Sequence, residues 1–130
     1  MAGTLTVDAI RSEAATPTVF RNSSSVEIGQ LTRSWVNFNG VTTVTIRGSF
    51  NTSSVTRNGT GDYTTNLSTA LTDGNFSLLV TGNRGVAADY GWYMSAPYNA
   101  APTTTTARMV CTNSAATFTD YAYISVTINR

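Results

Sequence analysis

The sequence predicts an all-β protein, built as an antiparallel β-sandwich of about seven or eight short strands. Three observations carry this. Only 12% of residues are charged, well under the usual quarter, and Thr, Ser, Asn and Gly fill the polar share in place of good helix formers. Thr favours strands, while Asn and Gly favour turns. Apolar and polar residues also alternate at period two in several runs, and turn signals separate those runs.

The clearest run is Ser34 to Phe50, SWVNFNGVTTVTIRGSF. It reads as two strands joined at Asn39-Gly40, a pair suited to the positive φ values of a tight hairpin. Val36 and Phe38 share one face of the first strand; Trp35, Asn37 and Asn39 share the other. On the second strand Val44, Ile46, Gly48 and Phe50 are expected on one face. Large apolar groups on both sides of Trp35–Phe38 imply cover by a second sheet or a neighbouring subunit.

Residues 1–30 precede this hairpin and differ from it. Leu5, Val7 and Ile10 hint at a short strand. SEAATPT is loop-like, and Pro17 keeps its predecessor extended. Val19-Phe20 and Val26/Ile28 are brief apolar pairs around RNSSS. The segment is either an arm along its own domain or one that orders against neighbours. After the hairpin, Ser53–Arg57 and Asp62–Leu67 form a second one around Asn58-Gly59-Thr60-Gly61, with Tyr63, Thr65 and Leu67 on one face. Thr69–Gly74 is a turn. Phe76, Leu78 and Val80 mark the next strand.

Residues 82–104 are the least regular. Val86–Tyr93 reads as a strand interrupted at Gly91, and Ser95–Pro102 as a surface loop. Tyr90, Trp92, Tyr93 and Tyr98 make this stretch the candidate contact surface. Tyr and Trp among Gly, Asn and Ser offer rigid rings with adaptable polar neighbours. They suit stacking on sugar rings or packing on a protein; filling the domain's own core is the competing role. Thr105–Thr112 is a strand with Ala107, Met109 and Cys111 on one side, and Asn113–Thr119 a connection. In the last strand, Asp120–Asn129, Ala122, Ile124, Val126 and Ile128 are expected in the core. Tyr121, Tyr123, Ser125 and Thr127 are expected outward or against a partner. Trp35, Tyr121 and Tyr123 are thus the candidate subunit-interface residues.

The inventory argues against an enzyme. There is no His and no Lys, and Cys111 is the single cysteine. That removes Ser-His-Asp and Cys-His arrangements, imidazole or thiolate metal sites and Schiff-base chemistry. Asp62, Asp73, Asp89 and Asp120 sit beside Gly or at strand ends, where Asp caps turns, rather than as an acid/base pair. No cofactor and no metal site is expected. A net charge of +1 gives no basic field for nucleic acid. No apolar run is long enough for a membrane-spanning helix, and the N-terminus lacks the basic-then-apolar pattern of a signal peptide. The Asn-x-Ser/Thr triplets at Asn22, Asn51, Asn58, Asn66 and Asn75 are expected by chance in such a composition.

RSWVNFNG, followed by TVTIRGSFNTSSVTRNGTGDYTTNLSTAL, resembles a module of tail fibres and other appendages of tailed bacteriophages. The matching residues are Arg33, Trp35–Gly40, Ile46, Arg47, Ser49–Asn51 and Asn58–Tyr63. Looser likeness runs through Thr69–Val80, the final SVTINR and the opening GTLTVDAI. The resemblance implies a structural virion protein, assembled in the host cytoplasm as a homotrimer that presents a β-rich knob. In that setting residues 31–130 are the appendage domain that attaches to a host-surface polysaccharide or protein. Residues 1–30 are a docking arm to other virion proteins, through Leu5, Val7, Ile10, Val19 and Phe20. A capsid decoration or head-fibre role is the alternative, and a polysaccharide depolymerase a more distant one.

Overall fold

The computed structural model describes residues 19–86 and 93–130. Among them all regular structure is antiparallel strand, in three sheets. The chain divides after Leu31.

The first part contributes a two-stranded hairpin, β1 (Val19–Arg21) with β2 (Glu27–Gln30). Its turn forms because Asn22 Oδ1 accepts from the amides of Ser24 and Val26, and Ser25 takes a positive φ of 60°. The Phe20 ring packs on Gly29. RNSSS is therefore the turn of a hairpin and not a spacer between isolated apolar pairs.

The second part is sandwich-like. One sheet has the order β4-β3-β10-β7, from β3 (Thr32–Asn39), β4 (Thr45–Phe50), β7 (Ser77–Asn83) and β10 (Tyr123–Asn129). The other has the order β5-β6-β9-β8, from β5 (Thr52–Gly59), β6 (Asp62–Leu67), β8 (Tyr93–Ser95) and β9 (Thr106–Thr112). Val36, Phe38, Ile124 and Val126 from the first sheet meet Tyr63, Met109 and Cys111 from the second in one buried cluster. Leu67, Leu71, Ala107 and Ile128 form a second cluster. Phe38 and Tyr63 meet edge to face across the sheets, with ring centroids 5.3 Å apart.

Asn51 carries the chain from one sheet to the other in a single residue. Its φ is 52°, in the left-handed region that Asn tolerates better than most residues. Its Nδ2 donates to the carbonyls of Arg33 and Thr69, and its Oδ1 accepts from the Thr69 amide. Beside it Thr52 is buried, hydroxyl to hydroxyl with Ser34 at 2.9 Å. The Asn51 and Thr52 side chains both have partners, so the turn is held without a glycine.

Several expectations need correction. The β3–β4 connection is not a two-residue turn at Asn39-Gly40. It runs to Val44, and the positive φ sits at Thr42. Gly40 is required for space: a Cβ there would lie 2.5 Å from the Tyr63 hydroxyl. On β4 a bulge at Arg47 flips the alternation, because Asn37 pairs with Gly48 but Phe38 pairs with Ile46. Val44 packs on the core, while Phe50 stands on the opposite, outer face beside Trp35. The last strand starts at Tyr123, after a bend at Ala122. That bend shifts the phase, so Tyr121 is fully buried and donates its hydroxyl to the Thr112 carbonyl at 2.7 Å. Tyr121 is thus a core residue of its own subunit and not an interface residue, and Ala122 is only half-buried. The strand expected over Val86–Tyr93 falls largely outside the described residues.

Candidate functional site

Strand pairing sets the outer face of the β5-β6-β9-β8 sheet rung by rung. Tyr63, Thr65 and Leu67 point inward on β6, and Ala107, Met109 and Cys111 on β9. Asp62, Thr64, Arg108 and Val110 must then point out. Thr64 lies across from Arg108. The next rung is Asp62–Val110–Ser95. The rung after that is Phe118–Thr112–Tyr93, with Phe118 bridged to Thr112 where β6 has already turned away. The segment holding Phe118 is fixed by the Thr119 amide, which donates to the Cys111 carbonyl at 3.0 Å. Asn113 Oδ1, accepting from the Ala115 and Thr117 amides, closes the preceding turn.

A cleft of about 480 Å³ opens on this face. Asp62, Arg108 and Val110 contribute to it from the sheet, Pro97, Tyr98 and Asn99 from the loop after β8, and Phe118 from the far rung. Tyr98 is fully exposed and Phe118 about half. Arg108 donates to Asp62 through two nitrogens, Nε to Oδ1 at 2.9 Å and Nη2 to Oδ2 at 2.5 Å. Such a fork fixes both side chains. Asn58 Nδ2 adds a third bond, to Oδ1 at 3.0 Å. The Arg108 bonds, helped by Asn58, hold the Asp62 carboxyl below its ordinary range against the opposing effect of burial.

A second polar cluster lies at the rim. Asp120 Oδ2 takes Arg57 Nη2 at 2.6 Å, and Oδ1 takes the Tyr63 hydroxyl at 2.6 Å and the Gly61 amide at 2.8 Å. Burial would raise the Asp120 carboxyl, but these donors outweigh it and hold it low. Burial, then the bond to Asp120, pushes the Tyr63 phenol up. Gly61 has a φ of 64°, and a Cβ there would meet the Cys111 carbonyl oxygen at 2.5 Å. This cluster ties the β5–β6 turn to the segment entering β10; both Asp120 oxygens are spent on Arg57, Tyr63 and Gly61, while Arg57 Nε is buried with no partner among the described residues. Burial lifts the Cys111 thiol to about 12, so it is an inert core group. Among the described residues, no three metal-ligating side chains come together.

The structure describes two of the four contact residues read from the sequence. Tyr90 and Trp92 lie outside the described residues. Tyr98 lines the cleft, and Tyr93 is exposed on the rung beyond it. Trp35 and Tyr123 are on the outer face of the other sheet, 42% and 52% exposed. There Phe50, Trp35, Thr127 and Leu79 form one rung across all four strands. Arg47 stacks over the Tyr123 ring at 4.4 Å and donates to the Ala122 carbonyl. Of the arm residues, Val19 and Phe20 are on β1, with Phe20 exposed; Leu5, Val7 and Ile10 lie outside the described residues. Asp62, Arg108 and Phe118 were not anticipated as site residues. The alternation of β6 and β9 marks the first two as outward, but only the strand register brings them together.

No protein-family model, curated protein or solved structure matches the chain.

Proposed function

We propose that this chain is a structural protein of a tailed-bacteriophage virion: a homotrimeric, knob-type appendage domain that attaches to the host surface and is not an enzyme. The observation that carries the assembly is the rung Phe50–Trp35–Thr127–Leu79, whose three large side chains are each about half exposed. Three copies turning this face to a common axis would remove the largest apolar groups of that sheet face from water. The motif resemblance supports the virion setting. Its residues include those that shape the scaffold: Asn51 at the sheet-to-sheet corner, Gly61 at its turn and Tyr63 at the rim. The cleft loop at Pro97–Asn99 lies outside the motif, as suits a surface adapted to one host. The exposed apolar residues of the β1–β2 hairpin, Phe20 and Ile28 among them, suit an arm that docks on other virion proteins.

Sedimentation or light scattering of the full chain tests the assembly. The expected mass is three times that of the 13.8 kDa chain; a stable monomer at micromolar concentration would overturn it. Electron microscopy of intact particles labelled against this chain tests the setting. Label on an exposed fibre tip supports attachment, whereas label spread evenly over the capsid lattice supports decoration instead.

A further inference from the structure

We infer that the cleft between the Asp62–Arg108 pair, Tyr98 and Phe118 is a subsite for a neutral sugar ring. This rests on the attachment reading and names the ligand of the same site. The first argument is charge. Among the described lining residues the cleft holds one cation and one anion, joined to each other at two atoms. It offers no net field to a sulfate, phosphate or uronate.

The second argument is unspent hydrogen-bonding capacity. A guanidinium has five N–H donors, and Arg108 gives two of them to Asp62. Among the described residues, Nη1 and the second Nη2 hydrogen have no protein acceptor. Asp62 Oδ1 takes two donors from the described residues but Oδ2 takes one, so an acceptor direction stays open there. A fixed donor edge beside an open acceptor matches vicinal hydroxyls, each of which both gives and takes a hydrogen bond. A ligand that offers only donors or only acceptors would use half of it.

The third argument is the pair of rings. Phe118 stands one rung from Asp62 on the same face, about 7 Å along the strands. Tyr98 lies fully exposed at the cleft, next to Pro97. The weakly positive C–H bonds of a sugar's apolar face rest well on the negative face of an aromatic ring. Apolar walls with a few convergent polar groups are the usual make-up of a small-ligand site. The volume of about 480 Å³ exceeds that of one hexose.

The test is a titration of the ¹⁵N-labelled full-length protein with methyl glycosides. The panel is neutral hexosides and N-acetylhexosaminides, with a glucuronide and a sialoside alongside. The expected result is binding of at least one neutral glycoside with Kd of about 0.1–10 mM, and amide shifts grouped at Asn99, Val110 and Phe118. Tyr98→Ala and Arg108→Ala should each weaken it at least about fivefold, with unchanged circular dichroism. No binding by any neutral glycoside, binding of the charged sugars only, shifts away from the cleft, or indifference to Tyr98→Ala would each overturn the inference. Particle adsorption separates this from the attachment reading. If Tyr98→Ala abolishes adsorption while no glycoside binds, attachment stands and the sugar falls. If a neutral glycoside binds as expected and adsorption is unaffected, the subsite stands and attachment falls.

Discussion

The two outer faces of the sandwich solve the same problem differently. On the β5-β6-β9-β8 sheet the outward side chains bond to one another. Asn66 Nδ2 donates to Ser54 and Thr56, Asn58 Nδ2 to Asp62 and Thr64, and Arg108 to Asp62. That face carries its own side-chain hydrogen-bond network, with the cleft at one end. On the β4-β3-β10-β7 sheet, Asn37 bonds to Ser125 at 2.7 Å, but the neighbouring rung exposes Trp35, Phe50 and Leu79. A polar face that bonds within itself can stay in water. An apolar rung gains free energy only when something covers it.

The largest expected effect is on that cover. The exposed parts of the three side chains amount to an area on the order of 300 Å² per copy, which at about 25 cal/mol per Å² would supply roughly 7 kcal/mol. The translational and rotational cost of association is of the same order. One buried charge should therefore decide the outcome. Trp35→Glu is expected to convert the proposed three-chain species to a single chain, read by light scattering. Its melting temperature as a monomer should fall only modestly, because Trp35 is 42% exposed and its ring lies over Gly48. An unchanged mass would remove the contrast between the faces as an explanation of assembly.

Next in size is the rim, which belongs to neither face. Asp120→Asn keeps the shape but gives up the charge that Arg57, Tyr63 and the Gly61 amide converge on. A loss of about 2–3 kcal/mol in denaturant unfolding is expected, with no change in cleft or mass. Acid should have a related effect. Asp120 and Asp62 are both held below their ordinary values, so the unfolded chain takes up protons first as pH falls. Their contribution is complete above the unfolded carboxyl value of about 4 and is lost as pH drops through the lower folded values. At the alkaline end Cys111, raised to about 12, contributes fully below the unfolded thiol value of about 8.5. That contribution is lost as pH rises towards 12. With no His in the chain, a plateau is expected between these limbs. Unfolding free energies measured across pH would show it, and Asp120→Asn should shallow the acid limb.

The sheets were legible wherever alternation ran unbroken. Val36 and Phe38, Tyr63 to Leu67, Ala107 to Cys111 and Ile124 to Ile128 lie inward as their period requires. It failed where one residue disturbs the phase. The Arg47 bulge sends Phe50 outward, and the bend at Ala122 buries Tyr121; neither leaves a compositional mark. Gly40 was legible as a special position but for the wrong reason, since the demand comes from Tyr63, far along the chain. The cleft was half legible. Tyr98 stood out by residue type, whereas Asp62, Arg108 and Phe118 meet only through the register of β6, β9 and the Thr112–Phe118 bridge. Local pattern gives the face a residue points to; it does not give its neighbours across strands.

The smallest effects on folding should come from the cleft, and that is what distinguishes a binding surface from a structural one. Asp62 accepts only from the part-exposed Arg108 and Asn58 side chains, whereas Asp120 also holds the buried Tyr63 hydroxyl and the Gly61 amide, so Asp62→Asn should cost only about 0.5–1 kcal/mol, less than the same change at Asp120. Tyr98 is fully exposed, so Tyr98→Ala should leave the melting temperature within about 2 °C. Both substitutions should nevertheless lower glycoside affinity and adsorption. The diagnostic is the ratio: function lost without stability at Tyr98, stability lost without function at Asp120. If Tyr98→Ala instead lowered the melting temperature as far as Asp120→Asn does, the ring would be holding the Pro97–Asn99 loop in place, and the polar face would need no ligand to explain its aromatic edge.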